Sequence, residues 1–340
     1  MSKRLPASAW AAIVLVAVLL LNLVLSPSFF HLEIRDGRIY GSLVDILNRG
    51  VPVMLLALGM TLVIATGGVD LSVGPVMAIA GAIAACLIAR PDGCFLNALN
   101  LHGSIPLIVL VSLVVALACG IFNGLLVSRL EMQPIVATLL LMVAGRGIAQ
   151  LIANGQIVTF HAPEFEHLGT GAILGLPEPV WIFAASLAIV GLLIRKTALG
   201  LFIEATGSNP VAARYAGIDA RNVKLVVYAV CGVCAGMAGL IGTADIQAAD
   251  ANNAGLYLEL DAILAVAVGG TALTGGRFSL AGSIIGALLM QTLTTTILTH
   301  GISAEVTLVV KAAIVVIVCL LQAPAFRERT GKLFARKATA

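Results

Sequence analysis

The chain has 340 residues, 60% of them hydrophobic and 11% charged, and that composition leaves no soluble domain to be placed. A net charge of +3 gives no footing for a nucleic-acid partner. Apolar runs near the ~20 residues that cross a ~30 Å hydrocarbon core recur from end to end, which predicts an all-α, polytopic membrane protein forming one transmembrane domain over residues 1–340.

The first run, residues 9–25, follows Lys3 and Arg4 and lacks a small-residue cleavage pattern, so it reads as a membrane anchor and not as a cleaved signal. Residues 31–49 carry mixed charge and read as an extracytoplasmic loop or an interfacial helix. A second span, near 51–65, ends in Thr66-Gly67-Gly68-Val69-Asp70-Leu71-Ser72-Val73-Gly74-Pro75. Its glycines and proline predict a tight turn or unwound backbone, which at membrane depth survives only against protein or a wet cavity.

Further spans are predicted at 76–89, 105–128, 135–153, 179–194, 225–244, 261–273, 279–298 and 306–322. The run 261–273 is too short for an ordinary straight crossing and reads as a discontinuous or re-entrant element. If it crosses, the spans number about ten. Gly67, Gly68 and Gly74 with Asp70 faintly echo Gly269, Gly270, Gly275 and Gly276, but no internal repeat is read from them.

Basic residues concentrate in cytoplasmic loops. With ten crossings and a cytoplasmic N-terminus, Lys3, Arg4, Arg129, Arg277 and the C-terminal Arg327, Arg329, Lys332, Arg336 and Lys337 fall inside. So do Arg195, Lys196, Arg214, Arg221 and Lys224 of the polar segment 195–224. Only Arg35, Arg38, Arg49 and Arg90 fall outside. Both termini are therefore expected in the cytoplasm, and 195–224 is a cytoplasmic loop flanked by spans, suited to docking a soluble partner.

Of six cysteines, Cys86, Cys119, Cys231, Cys234 and Cys319 lie in apolar runs and only Cys94 in a loop, so no disulfide framework is read. Cys231-x-x-Cys234 has no nearby His or charge and reads as small apolar packing. His31, His102, His161, His167 and His300 sit in loops or at span ends; His161 and His167 with Glu164 and Glu166 suit either a metal site or a solvated loop. There is no G-x-x-x-x-G-K-[ST] phosphate cradle, so any ATP must act through a partner.

Ionisable groups within a membrane mark a pathway or a paired structural site. Arg146 and Lys311 are the basic cases, each open to a conducting role, to helix pairing or to snorkelling. Asp245, Asp250, Asn252, Asn253, Glu259 and Asp261 form the densest polar group; they suit polyhydroxyl recognition, plain loop structure or partner docking. The run Gln291-Thr292-Leu293-Thr294-Thr295-Thr296 either faces a cavity or bonds its own helix backbone. The candidate pathway residues are Asp70, Asn123, Arg146, Gln150, Asn252, Asn253, Gln291, Thr292 and Thr295.

Three segments occur together in order: Gly68-Val69-Asp70-Leu71-Ser72-Val73-Gly74, the stretch from Gly207-Ser208-Asn209-Pro210 to Gly217-Ile218, and Glu259-Leu260-Asp261-Ala262-Ile263-Leu264-Ala265-Val266 followed by Gly269-Gly270. In this combination the chain resembles, over nearly its whole length, the permease subunits of ribose-type sugar ABC importers. Residues 45–49, 142–147, 155–160 and 249–256 resemble the galactofuranose branch of that family, as does Leu264 where alanine is commoner.

The resemblance implies a non-enzymatic transport subunit of the bacterial inner membrane. It also implies a second, related permease chain, an extracytoplasmic sugar-binding protein, and a cytoplasmic ABC ATPase with two nucleotide sites that binds Mg-ATP; no cofactor is expected on this chain. It assigns a coupling helix to 207–218, with Glu204, Gly207, Asn209, Pro210, Ala212, Ala213, Arg214 and Gly217 as ATPase-coupling residues. The residues themselves fit: Asn209 suits a helix cap, Pro210 a first helical position, and Ala212, Ala213 and Gly217 close approach. Ribose or another monosaccharide is the alternative cargo; a gradient-driven secondary transporter or a channel would be a different class.

Overall fold

The computed structural model describes residues 7–35, 37–90, 94, 96 and 104–322. The basic termini that contribute to the charge asymmetry (Lys3 and Arg4; Arg327, Arg329, Lys332, Arg336 and Lys337) lie outside the described residues, as do His102 and the side chain of Cys319. Helices α1 (Ala7–Leu25), α2 (Ser42–Ala65), α3 (Val73–Ala89), α4 (Ile105–Ser128) and α5 (Pro134–Ile152) come first. They are followed by α6 (Pro163–Thr170), α7 (Glu178–Lys196), α8 (Leu199–Ser208) and α9 (Pro210–Tyr215). The chain continues through α10 (Ala220–Ile246), α11 (Leu258–Val268), α12 (Leu280–Thr299) and α13 (Ala304–Gln322).

Local chemistry sets several of these boundaries. Pro134, Pro163 and Pro210 each open a helix, where the missing amide is no loss and φ is already helical. Arg90 and Gln247 take left-handed conformations (both φ 52°) that end α3 and α10. Helices α2, α4, α5, α7, α10 and α12 are long and apolar enough to cross a membrane. The apolar stretches Ser8–Val24, Val73–Ala89 and Val306–Ile317 are shorter.

The core is built around α2, which is buried almost continuously from Gly50 to Ala65. Helix α10 lies against α2, α3 and α4, helix α12 against α1, α2 and α11, and α3 also against α4 and α5. The α4–α10 contact depends on small residues: a β-carbon on Gly232 would come within 2.9 Å of the Cα of Gly120. By contrast α4, α5 and α7 turn Leu110, Leu140, Val143, Leu151 and Ile189 outward. In water these would be a liability; in a bilayer they are ordinary surface.

Two differences from the sequence reading concern boundaries. Helix α2 starts at Ser42, earlier than the span near 51–65, because Gly41 at φ 151° breaks the chain there and the polar residues after it continue the helix. The run 261–273 overlaps a helix, α11, of only 11 residues, which starts earlier, at Leu258, and ends at Val268. At ~1.5 Å per residue it covers about half a hydrocarbon core, and the chain then proceeds without helix to α12.

A third difference is composition: among the described residues, three two-stranded ribbons interrupt an otherwise helical chain. They are β1 (Glu33–Arg35) with β2 (Arg38–Tyr40), β3 (Val158–Thr159) with β6 (Ala248–Ala249), and β4 (Ala172–Ile173) with β5 (Leu176–Pro177). All are antiparallel and lie in connections between helices.

Candidate functional site

Three polar regions stand out from this apolar frame. The first is the turn between α2 and α3. Asp70 is 1% exposed, and its Oδ1 accepts from the Ser72 amide (2.9 Å), the Ser72 hydroxyl (2.7 Å) and Asn123 Nδ2 of α4 (3.4 Å). Cys231 of α10 lies beside the carboxyl. Asn123 Nδ2 bonds Ser72 Oγ at 2.7 Å, and the Tyr228 hydroxyl donates to the Val69 carbonyl at 3.3 Å. A carboxylate removed from water in this way is tolerable because donors surround it. Asp70 and Asn123 thus meet each other in the bundle interior.

The second region is the segment containing α8 and α9. Asn209 caps α9, its Oδ1 accepting from the Val211 and Ala212 amides at 3.0 Å each. Val211, Ala212, Arg214 and Tyr215 are exposed, Tyr215 at 90%, whereas Ala213 is 4% exposed and faces the bundle. Gly217 leaves α9 at φ 83° with open space around it, and Glu204 is half-buried on α8. A cleft of about 1090 Å³ runs beside α9, walled by the α4–α5 connection and the start of α10. The cleft walls are tied by Arg221 to Glu131 (2.6 Å) and by Arg129 to Asn222 (2.7 Å).

Gly207 connects this segment to the core. A β-carbon on it would overlap the Ala65 carbonyl, at the end of α2, and the Gly276 amide, in the loop after α11. The two glycine-rich segments 67–74 and 269–276, in which no repeat is read, therefore meet at one backbone junction with Gly207. A β-carbon on Gly275 would come within 2.8 Å of the Gly67 nitrogen and 3.0 Å of the Gly207 carbonyl oxygen.

The third region lies where α5 meets the connection between α10 and α11. Arg146 Nη1 donates to the carbonyls of Ala251 (3.0 Å) and Ala254 (2.6 Å), and Gln150 Nε2 to Asn252 Oδ1 (2.6 Å). Asp250 accepts from the Asn252 and Asn253 amides and from Asn253 Nδ2. That last bond holds the Asp250 carboxyl below the usual carboxylate range. Asn252 and Asn253 are exposed, and Arg146 and Gln150 partly so. Segments 142–147, 155–160 and 249–256, separated in sequence, converge here, since β3 pairs with β6 and Arg146 reaches across.

The remaining candidates are placed differently. Thr292 donates to Leu288 O and Thr296 to Thr292 O within α12, while Gln291 Nε2 reaches Thr295 Oγ1 at 3.3 Å. Lys311 is paired with Asp261 of α11 at 2.6 Å, both largely buried. His161 pairs with Glu166 at 2.8 Å, and among the described residues no group of three metal-ligating side chains forms.

Sequence reasoning passed over Tyr228, read Cys231 as small apolar packing, and placed Glu259 only within a polar group open to several roles. Tyr228 and Cys231 are one turn apart on α10, so both reach the α2–α3 turn, a spacing that was there to be read. Glu259 is 2% exposed and lies against Gly74, with Gly255 beside it. That contact joins two of the resembling segments in space.

Comparison with known proteins adds descent to this geometry. A family model described as the permease component of branched-chain amino acid transport systems matches residues 42–319. The chain is 50% identical over 323 residues to the galactofuranose transporter permease protein YtfT of Escherichia coli K12, covering 95% of this chain and 92% of that one. It is 38% identical over 335 residues to the fructose import permease protein FruF of Bifidobacterium longum, covering 97% and 91%. It is 36% identical over 315 residues to the ribose import permease protein RbsC of Escherichia coli K12, covering 92% and 91%. No solved structure matches. With a matching model that spans α2 into α13 and relatives similar over nearly their full length, the chain belongs to this family of membrane permeases, multi-pass transport components and not enzymes.

Proposed function

We propose that this chain is the permease subunit of an ATP-driven sugar importer of the bacterial inner membrane and that galactofuranose is its cargo. The observation that carries the proposal is the 50% identity, over 95% of the chain, to a galactofuranose transporter permease. Ribose and fructose are the second reading, favoured by import permeases for those sugars at 36% and 38% identity.

In this reading an ATPase and a sugar-binding protein are the partners. The ATPase has two sites for Mg-ATP, and a related but different permease chain completes the pathway. Both termini and the segment 195–224 face the cytoplasm, α11 with the stretch after it makes one of ten crossings, and residues 1–340 act as one transmembrane unit. The basic residues around the α9 cleft support that orientation.

The α9 surface formed by Val211, Ala212, Arg214 and Tyr215 seats in a groove of the ATPase, and Glu204, Gly207, Asn209, Pro210, Ala213 and Gly217 hold it in place. A rigid-body shift of that surface reaches α2 and the loop after α11 through Gly207. At the other end Arg146, Gln150, Asn252 and Asn253 offer amides and carbonyls in a setting open enough for sugar hydroxyls. Asp70 and Asn123 then serve the pathway indirectly, by fixing the α2–α3 turn. Gln291, Thr292 and Thr295 contribute polarity where α12 packs against α2.

Reconstitution tests this. Proteoliposomes containing both permeases and the ATPase, supplied with the binding protein, take up labelled galactofuranose only with ATP. Gradient-driven uptake by this chain alone would overturn the importer reading. A cognate binding protein that takes ribose and ignores galactofuranose would overturn only the cargo.

A further inference from the structure

We propose that the cleft beside α9 holds the headgroup of an anionic phospholipid of the cytoplasmic leaflet, with Arg214 and Lys224 on its phosphodiester. Four cations line the cleft, Arg129, Arg214, Arg221 and Lys224, against two carboxylates, Glu131 and Asp219. Both carboxylates are taken by one residue: Arg221 pairs with Glu131 at 2.6 Å, and its amide donates to Asp219 at 3.0 Å. Arg129 donates to the neutral side chain of Asn222. Among the described residues Arg214 and Lys224 therefore have no carboxylate partner, and Lys224 is half-buried. Cations gathered in a half-enclosed space repel one another, and an anion seated among them removes that repulsion and gains charge-assisted hydrogen bonds.

A second observation points the same way. Ser128, the last residue of α4, lines the cleft at 2% exposure, and its hydroxyl has no hydrogen-bond partner among the described residues. A buried hydroxyl left in that state is costly, and a phosphodiester oxygen held deep in the cleft supplies the acceptor.

Depth in the membrane selects the source of the anion. Helix α10 has 27 residues, and at ~1.5 Å each it outruns a ~30 Å hydrocarbon core by about 10 Å. Its first residues, Arg221 and Lys224 among them, thus lie at headgroup level. The α4–α5 connection stands at the same height, since Arg129 bonds Asn222. Around it Leu130, Ile135 and Val136 are exposed, an apolar rim on which acyl chains lie and of which a soluble anion makes no use. Basic pockets between helices on the cytoplasmic side bind anionic headgroups in this way. The inference rests on the orientation given under Proposed function. Arg214 borders both the cleft and the exposed side of α9, so the bound lipid stands directly beside the ATPase-docking surface.

The test titrates phosphatidylglycerol into the delipidated full chain in detergent and counts bound lipids by native mass spectrometry, with phosphatidylcholine as the zwitterionic comparison. One phosphatidylglycerol is expected to bind more tightly than the rest, at a site that phosphatidylcholine does not fill. Arg214→Gln/Lys224→Gln should weaken that site by roughly 30-fold, about fivefold for each cation lost beside an anionic lipid. Lys224→Gln alone should show the single fivefold step, and Lys224→Arg should retain the lipid. Arg195→Gln/Lys196→Gln, which removes equal charge from the exposed end of α7, should bind as the parent does.

Equal loss in both double variants would overturn the site in favour of diffuse surface charge. Displacement of the lipid by inorganic phosphate would make the occupant a free ion, and displacement by the ATPase would give the cleft to the docking partner; either result overturns the proposal. Lipid binding in detergent needs neither ATP nor sugar, so its failure leaves the importer reading standing. Orientation is read separately from Gln133→Cys, an exposed position in the cleft wall. Its labelling by a membrane-impermeant maleimide from outside intact cells would overturn the cytoplasmic placement.

Discussion

The amide of Gly276 donates a 2.9 Å hydrogen bond to the carbonyl of Ala65, tying the loop after α11 to the last residue of α2. Gly207, at the end of α8, sits against both groups with no room for a β-carbon. Three backbone segments from distant parts of the chain thus share one contact. A side chain added there must force them apart, at a cost of about 1–3 kcal/mol for overpacking of this kind.

Gly207→Ala is therefore expected to reduce uptake sharply while the ATPase still co-purifies with the permease and hydrolyses ATP. Gly191→Ala, where a β-carbon meets nothing within 4 Å, is the control and should transport normally. Normal uptake by Gly207→Ala would show that the junction does not transmit motion.

The exposed face of α9 predicts a separation of binding from folding. Tyr215→Ala removes a side chain that is 90% exposed, so the permease should insert and remain as stable as the parent but lose much of its ATPase association in pull-downs. Ala213→Leu should do something else: Ala213 is buried, so added bulk destabilises the permease itself, lowering its thermal midpoint in detergent. Asn209→Ala costs about 0.5–2 kcal/mol of local helix stability, and Asn209→Ser should restore most of it. Equal ATPase retention by Tyr215→Ala and the parent would remove α9 as the docking surface.

Much of this was legible because the membrane imposes a coarse code. Apolar runs gave most of the long helices to within about five residues, the start of α2 excepted, and Asn209-Pro210 specified a capped helix start by local chemistry alone. What could not be read was tertiary. Nothing local shows that Gly67 will touch Gly275, or that Tyr228 and Cys231 turn toward Val69 and Asp70, since helix-to-helix rotation decides both. A similar limit hid the beginning of α11: Glu259 looks like a loop carboxylate beside Asp250 and Asn252, yet it is buried against Gly74. For Thr292 and Thr296 the backbone-bonding alternative is the one realised, and the helix itself supplies the acceptors.

The donors around Asp70 predict a strongly coupled set. Asp70→Ala leaves Ser72 and Asn123 facing a cavity, and each unsatisfied buried polar group costs about 1–3 kcal/mol. Asn123→Ala alone is expected to cost less. In a double-mutant cycle read by thermal unfolding in detergent, Asp70 and Asn123 should couple by about 0.5–3 kcal/mol. Strict additivity would mean that the contact does not contribute.

Arg146 and Gln150 make different contributions to the proposed sugar path and should separate kinetically. Arg146→Ala strands the carbonyls of Ala251 and Ala254, so it should lower maximal uptake and stability together. Gln150 holds only Asn252, on a more open edge. Gln150→Ala is expected to raise the half-saturating concentration of sugar-loaded binding protein by roughly two- to tenfold, the equivalent of about 0.5–1.5 kcal/mol, with maximal uptake near parental. A fall in maximal uptake at unchanged half-saturation would assign Gln150 to structure.

The ion pair between Lys311 and Asp261 bears on why α13 stays with α11. The two side chains meet at 2.6 Å with exposures of 11% and 14%, and either charge left alone in that setting would lack both water and partner. Removing one member of a buried pair costs about 3–5 kcal/mol, whereas replacing both by neutral side chains of similar shape is often neutral. Lys311→Met and Asp261→Asn should each lower the thermal midpoint and the amount of inserted protein, and the double variant should recover most of both. If the double variant also recovers uptake, the pair is a structural tie between α11 and α13. If it folds but transports nothing, Lys311 takes part in the transport cycle, and the tie is only one of its two duties.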